Sequence, residues 1–116
     1  KNVLSRTGSV ASIVFDEVDN GIGGAVAEIV GRKLKSVSAN HQIICITHLP
    51  QIACFGDSHL QVSKKVTKGR TVTFVNELDD EQKVEEISRM LGGVNVTETT
   101  RKHAREMIKG SKLSKF

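Results

Sequence analysis

Two polar clusters in this chain each follow directly on an apolar run. Asp16, Glu17 and Asp19 come after Val10-Ala11-Ser12-Ile13-Val14-Phe15, and Thr47, His48 and Gln51 close or follow the run Gln42-Ile43-Ile44-Cys45-Ile46. An Asp at the end of an apolar strand is the Walker B pattern, whose carboxylate helps hold Mg²⁺, usually through water, beside the β- and γ-phosphates of a nucleotide. The adjacent Glu17 suits a second task, polarising the attacking water or accepting its proton. His48 can donate a hydrogen bond to a γ-phosphate and so sense its presence, and Gln51 lies on the same turn. Gly21, Gly23 and Gly24 would let the backbone approach a ligand or a second subunit closely. Each residue also has a plainer reading. Acidic residues commonly open helices, His and Gln are ordinary turn residues, and turn geometry alone accounts for three glycines.

The elements that would position these groups follow from hydrophobic periodicity. The run 10–15 reads as a buried strand. Val26, Ile29, Val30, Leu34 and Val37 recur at helical spacing, with Arg32, Lys33 and Lys35 on the other face, which predicts an amphipathic helix lying on a sheet. The run 42–47 repeats the buried-strand pattern, so residues 10–47 form a βαβ unit with parallel strands. In such a sheet, ligands bind beyond the carboxyl ends of the strands. Asp16 and His48 would then face one cleft if their strands are neighbours.

Pro50 can open a short helix through Phe55, ended by Gly56. Segments 59–66 and 70–77, separated by Thr67-Lys68-Gly69, alternate as an antiparallel hairpin extending the parallel core. Asp79 and Gln82 have capping-box spacing before a helix whose apolar face is Val84, Ile87, Met90 and Leu91 and whose stop is Gly92-Gly93. Thr97 caps a last helix to about Ile108, and Lys109-Gly110-Ser111-Lys112 reads as a frayed basic tail. The fold class expected is α/β: a parallel sheet core plus an antiparallel hairpin and flanking helices, in a single domain over 1–116.

Composition excludes several classes. The chain is 38% hydrophobic and 26% charged, within the range of soluble globular domains and away from disordered or collagenous ones. No apolar run approaches the roughly 20 residues of a membrane helix, and nothing resembles a secretory leader. Cys45 and Cys54 have no metal-ligand spacing and read as free thiols of a reducing cytoplasm. A net charge of +4 favours polyanions modestly.

Taken together, Ile13-Val14-Phe15-Asp16-Glu17-Val18-Asp19-Asn20-Gly21-Ile22-Gly23-Gly24 and Ile44-Cys45-Ile46-Thr47-His48-Leu49-Pro50-Gln51-Ile52-Ala53 resemble the RecN family of bacterial DNA-repair proteins, which belongs with the ABC-type and SMC-like ATPases. The likeness continues through Gly56-Asp57, Lys64-Lys65, residues 84–93 and residues 99–104, and so covers nearly the whole chain. It implies a P-loop NTPase-like head, of which this chain is the C-terminal portion. Asp16 would be the Walker B aspartate and metal contact, Glu17 the catalytic glutamate, Asp19 to Gly24 the D-loop segment and His48 the switch histidine. The D-loop's usual closing Asp falls at Gly23.

Neither a G-x-x-x-x-G-K-[ST] phosphate loop nor a Ser-Gly-Gly-Glu signature segment occurs. In the family both precede the point where this chain starts, as does the coiled-coil arm, so Lys1 reads as a dissection boundary. The resemblance implies that the intact protein uses ATP and Mg²⁺ between two heads of a homodimer, engages DNA in double-strand break repair, and works in the cytoplasm at the nucleoid. It also implies that the missing N-terminal part of the head is a partner, without which this piece neither holds nor hydrolyses ATP appreciably.

Two other classes fit parts of the pattern. Asp16, Glu17 and Asp19, with Asp57 as a further carboxylate, could form a Mg²⁺-dependent phosphodiesterase site, which leaves Thr47-His48 and the glycines unexplained. Lys64, Lys65, Lys68 and Arg70 could make the hairpin a non-catalytic nucleic-acid-binding module, although charged hairpins also protect exposed sheet edges and aromatic platforms are lacking.

Overall fold

The computed structural model describes residues 11–16 and 23–113. Strand β1 (Ala11–Asp16) leads through helix α1 (Gly24–Val37) to β2 (His41–Ile46), and the two strands pair in parallel from Ala11↔His41 to Asp16↔Ile46. The period-2 pleat sorts their side chains onto two faces. Ile13, Phe15, Ile43 and Cys45 are half-buried, whereas Val14, Ile44 and Ile46 are 60%, 46% and 54% exposed. The strands are therefore not buried on both faces as their composition suggests. Among the described residues no layer covers the face of Val14, Ile44 and Ile46.

Helix α1 also departs from expectation. Val26, Ile29 and Val37 of its apolar stripe are exposed, and the residues it buries are Ala27 and Gly31. Small side chains decide this orientation, because they let α1 approach the next helix closely. That helix, α2 (Pro50–Ala53), starts with Pro50 at a first-turn position where a missing N–H costs nothing. Cys54 and Phe55 continue it as a turn, closed where Gly56 N–H donates to Ala53 O at 3.1 Å.

Strands β3 (Leu60–Thr67) and β4 (Arg70–Glu77) form the antiparallel hairpin. Its loop is two residues rather than three, since Thr67 pairs with Arg70, and Lys68 and Gly69 take φ of 53° and 75°. Two consecutive left-handed residues make the I′-type turn whose twist matches the strands. The hairpin forms its own sheet and does not extend the β1–β2 pair among the described residues.

Helix α3 (Asp80–Gly92) has the expected capping box: Asp79 Oδ1 accepts from Gln82 N–H at 2.8 Å, and Gln82 Oε1 from Asp79 N–H at 2.9 Å. Helix α4 (Glu98–Leu113) begins where Thr97 Oγ1 accepts from Thr100 N–H at 3.2 Å. It runs past Ile108 to Leu113, so residues 109–112 are helix and not a frayed tail. Ser111 is the reason: it is buried, and its hydroxyl lies 2.8 Å from Cys54 O and 2.7 Å from Ile108 O.

The core sits among α2, α3 and α4. Cys54, Phe55, Ile87 and Ala104 are buried there, flanked by Val84, Met90, Leu91, Met107 and Ile108. Full burial of a side chain such as Ile87 contributes roughly 1.5–3 kcal/mol. Among the described residues no helix is long and apolar enough to cross a membrane.

Candidate functional site

Parallel pairing with Asp16 opposite Ile46 means that both strands end at the same level. Asp16 and the Thr47-His48 turn therefore leave neighbouring strands at one sheet edge, as the sequence predicts, and Asp16 and His48 are both exposed there. The turn is shaped locally: Thr47 Oγ1 accepts from Leu49 N–H at 3.0 Å. Leu49 then takes an extended conformation before Pro50 starts α2.

Of the other predicted site residues, Glu17, Asp19 and Gly21 lie outside the described residues. Gly23 is extended at the N-cap of α1, and its carbonyl accepts from Ala27 N–H at 2.9 Å. Gly24 meets the second cluster directly: a Cβ there would lie 3.4 Å from Nε2 of Gln51. The Gln51 side chain thus spans from the histidine turn to the end of the glycine segment. Its Oε1 is buried and has no hydrogen-bond partner among the described residues. A buried amide oxygen without a partner is an acceptor that lacks its bond, at a cost of about 1–3 kcal/mol until a donor reaches it.

The contact that holds the two halves together was not singled out by the sequence patterns. A Cβ on Gly31 would lie 2.5 Å from Cδ2 of Phe55, so α1 rests against α2 with no room for a side chain. The available signal was a glycine inside a helical pattern, which costs about 1 kcal/mol against Ala and usually has a packing reason. Lys35 adds an ion pair with Asp57 from the same side of the contact. Asp57, the further carboxylate considered for a phosphodiesterase, is therefore engaged by a cation.

Lys83 fixes the segment after α2. Its buried ammonium donates to Gly56 O at 2.5 Å, and desolvation followed by the nearby Lys112 charge pushes its pKa down. Burial pushes the Cys54 thiol up to about 11, leaving it an inert thiol at neutral pH. Both described cysteines are free.

Two of the surface hollows among the described residues differ in their relation to the site. The larger, 520 Å³, is lined by Gln61, Glu81, Glu85, Glu86 and Arg89 among others, and includes none of the predicted site residues. The smaller, 360 Å³, lies where Gln51, Arg32, Cys54, Phe55 and His103 meet, and so touches the site through Gln51. Convergence of strand ends, rather than hollow size, locates the candidate chemistry.

No family model matches the chain. Proteins named DNA repair protein RecN do: that of Halalkalibacterium halodurans is 47% identical over 108 residues, covering 93% of this chain and 19% of that protein. The Bacillus subtilis protein is 47% identical over 109 residues, or 94% of this chain and 19% of its own length. The Streptomyces coelicolor protein is 39% identical over 113 residues, or 97% and 20%. The chain thus spans about a fifth of the relatives that it matches. Among solved structures, a chain from work on ATP-driven dimerization and DNA stimulated activation of SMC ATPases superposes with a TM-score of 0.56 at 20% identity. That likeness covers 72% of this chain and 50% of the other, and it shows a shared fold.

Proposed function

We propose, for a chain that is RecN-like over about nine-tenths of its length and matches the C-terminal part of the head, that it supplies the Walker B and switch-histidine edge of an ATPase head in a DNA-repair protein. The single observation that carries this reading is the register Asp16↔Ile46, which delivers Asp16 and His48 from adjacent strands to one edge. The Gln51 side chain, whose Nε2 lies beside Gly24 and whose Oε1 has no partner among the described residues, supports it from the other side.

The donor set fits Mg²⁺-ATP. Asp16 and the Gln51 amide offer the hard oxygens that Mg²⁺ and its waters prefer, and His48 offers an N–H to a phosphate oxygen. Bound Mg²⁺ would supply neutralisation of the charge that develops during phosphoryl transfer. Around it, Glu17 holds the attacking water and takes its proton. His48 donates to the terminal phosphate, and Asp19, Gly21, Gly23 and Gly24 bring backbone to the opposite head of a homodimer.

The remainder of the same head is the natural cover for Val14, Ile44 and Ile46, because an exposed apolar sheet face gains most from a packed layer. The intact protein would bind DNA and act in the cytoplasm, at the nucleoid.

The test is Mg²⁺-ATP binding and turnover, measured for this chain and for a longer form that restores a phosphate loop and signature segment. Turnover in the longer form alone, most of it removed by Glu17→Gln, is the expected result. Equal turnover with and without Glu17 would overturn the assignment, and ATP-independent DNA cleavage by this chain would replace it with the phosphodiesterase.

A further inference from the structure

Segment 49–57 follows the His48 turn directly and is too short to hold its own shape. Helix α2 is a single turn, Pro50–Ala53, and an isolated helix of that length is not stable in water. Its direction is therefore set by what surrounds it.

Contacts from three helices converge on this segment. On the α1 side, a Cβ on Gly31 would lie 3.1 Å from Gln51 O, and Lys35 pairs with Asp57. From α4, the Ser111 hydroxyl lies 2.8 Å from Cys54 O. From α3, the Lys83 ammonium donates to Gly56 O at 2.5 Å. Ser111 and Lys83 are 6% and 8% exposed, so this chain by itself already encloses both donors.

The two carbonyls held in this way lie just past the end of α2, where a helix runs out of backbone donors. From there a series of hydrogen bonds leads back to the site. Gly56 N–H donates to Ala53 O at 3.1 Å, Ala53 N–H to Leu49 O at 3.0 Å, and Leu49 N–H to Thr47 Oγ1 at 3.0 Å. Lys83 is thus linked through α2 to Thr47 and Leu49, the residues on either side of His48.

Burial alone does not account for Lys83. A buried ammonium costs free energy unless an opposite charge pairs with it. Here burial works against the charged form, and the group that accepts its hydrogen bond is a neutral carbonyl. A Met would fill similar space without that cost, but it could not hold Gly56 O.

We propose that Lys83 and Ser111 are positioning residues for His48, fixing from α3 and α4 the short helix that holds the histidine turn at the sheet edge. The proposal rests on the reading of His48 as the group that donates to the terminal phosphate. Neither Lys83 nor Ser111 touches nucleotide in this arrangement. A donor misplaced by about 1 Å can cost on the order of 10²-fold in rate, so loss of either residue should show in turnover.

The experiment is a double-mutant cycle in the longer form that restores a phosphate loop and signature segment. Turnover of Mg²⁺-ATP gives kcat and KM for Lys83→Met, Ser111→Ala and His48→Ala, and for each of the first two combined with His48→Ala. Melting curves check that the variants fold. Lys83→Met should lower kcat roughly tenfold and Ser111→Ala about threefold, with KM within about twofold of the parent's. In the His48→Ala background each should lower kcat by less than about twofold, because a residue that acts through His48 has nothing left to position.

A purely structural loss would instead carry over in full to both backgrounds. Ser111→Ala, which removes a single hydroxyl, carries the test should Lys83→Met not fold. Folded variants with the parent's kcat overturn the proposal, as do equal losses with and without His48. If His48→Ala itself keeps the parent's kcat, the histidine reading fails and the proposal with it, so that one variant tells the two failures apart.

Discussion

Gly31 and Phe55 meet so closely that the Cβ absent from the glycine would sit 2.5 Å from Cδ2 and 2.8 Å from Cε2 of the ring. Phe55 is itself held in the core with Cys54, Ile87 and Ala104, so the ring cannot swing away freely. This contact joins the helix that follows the glycine segment to the helix that follows the His48 turn.

Gly31→Ala should therefore destabilise the fold. Overpacking costs about 1–3 kcal/mol, against a helix-propensity gain of about 1 kcal/mol. Gly110→Ala is the matched comparison: Gly110 also lies inside a helix, but nothing stands within 4 Å of its Cβ position. That substitution should raise stability by up to about 1 kcal/mol. Thermal melting of both variants checks the opposite signs.

In the longer, nucleotide-competent form, Glu17→Gln should lower kcat by roughly 10²–10⁴-fold while ATP still binds, the range for loss of a general base. His48→Ala should lower kcat on the order of 10²-fold, as for loss of one hydrogen-bond donor to developing charge. Single-turnover kinetics with separate ATP-binding measurements distinguish the chemical step from affinity. An unchanged rate would leave His48 a turn residue.

Asp79→Ala removes one half of the capping box and strands the Gln82 N–H that its carboxylate accepts at 2.8 Å. A loss of about 0.5–2 kcal/mol is expected from urea unfolding. Asp79→Asn should retain most of the stability, since its side-chain oxygen accepts the same bond.

Acid sensitivity should centre on the base of the hairpin. The Arg89 guanidinium, hydrogen-bonded to Glu86 at 2.8 and 2.6 Å, holds that carboxyl below the usual range. Burial likewise holds His59 below the usual histidine range. Both folded-state values are depressed, so each contribution is present above the unfolded value and is lost as pH falls through the folded one. Stability should decline first below the histidine range and again below the carboxylate range. Glu86→Gln should flatten the second decline in unfolding experiments at stepped pH, and an unchanged acid limb would refute the assignment.

Much of the architecture was legible locally. Asp79 and Gln82, Thr97 and Pro50 announce element ends because capping chemistry acts over three or four residues. The placement of Asp16 at the end of β1 and of Thr47-His48 just beyond β2 was legible as well, since an apolar strand delivers the polar group that closes or follows it to the sheet edge. Parallel pairing then brought Asp16 and the His48 turn to the same level.

What periodicity could not decide was which side of each element would be covered. The stripe of Val26, Ile29 and Val37 is written in the sequence, yet α1 buries Ala27 and Gly31, because close approach to Phe55 requires the smallest side chains. The basic composition of 109–112 suggests fraying, yet Ser111 reaches Cys54 O, 57 residues away in sequence, and keeps the last turn helical. The amide of Gln51 comes against Gly24 in the same way, through a contact between separate elements. By itself, then, the sequence determined the order of the elements and the ends that caps and Pro50 mark, which depend on neighbouring residues. Only the tertiary structure decided burial and the meeting of Gly31 with Phe55 and of Gln51 with Gly24, because those depend on packing between residues distant along the chain.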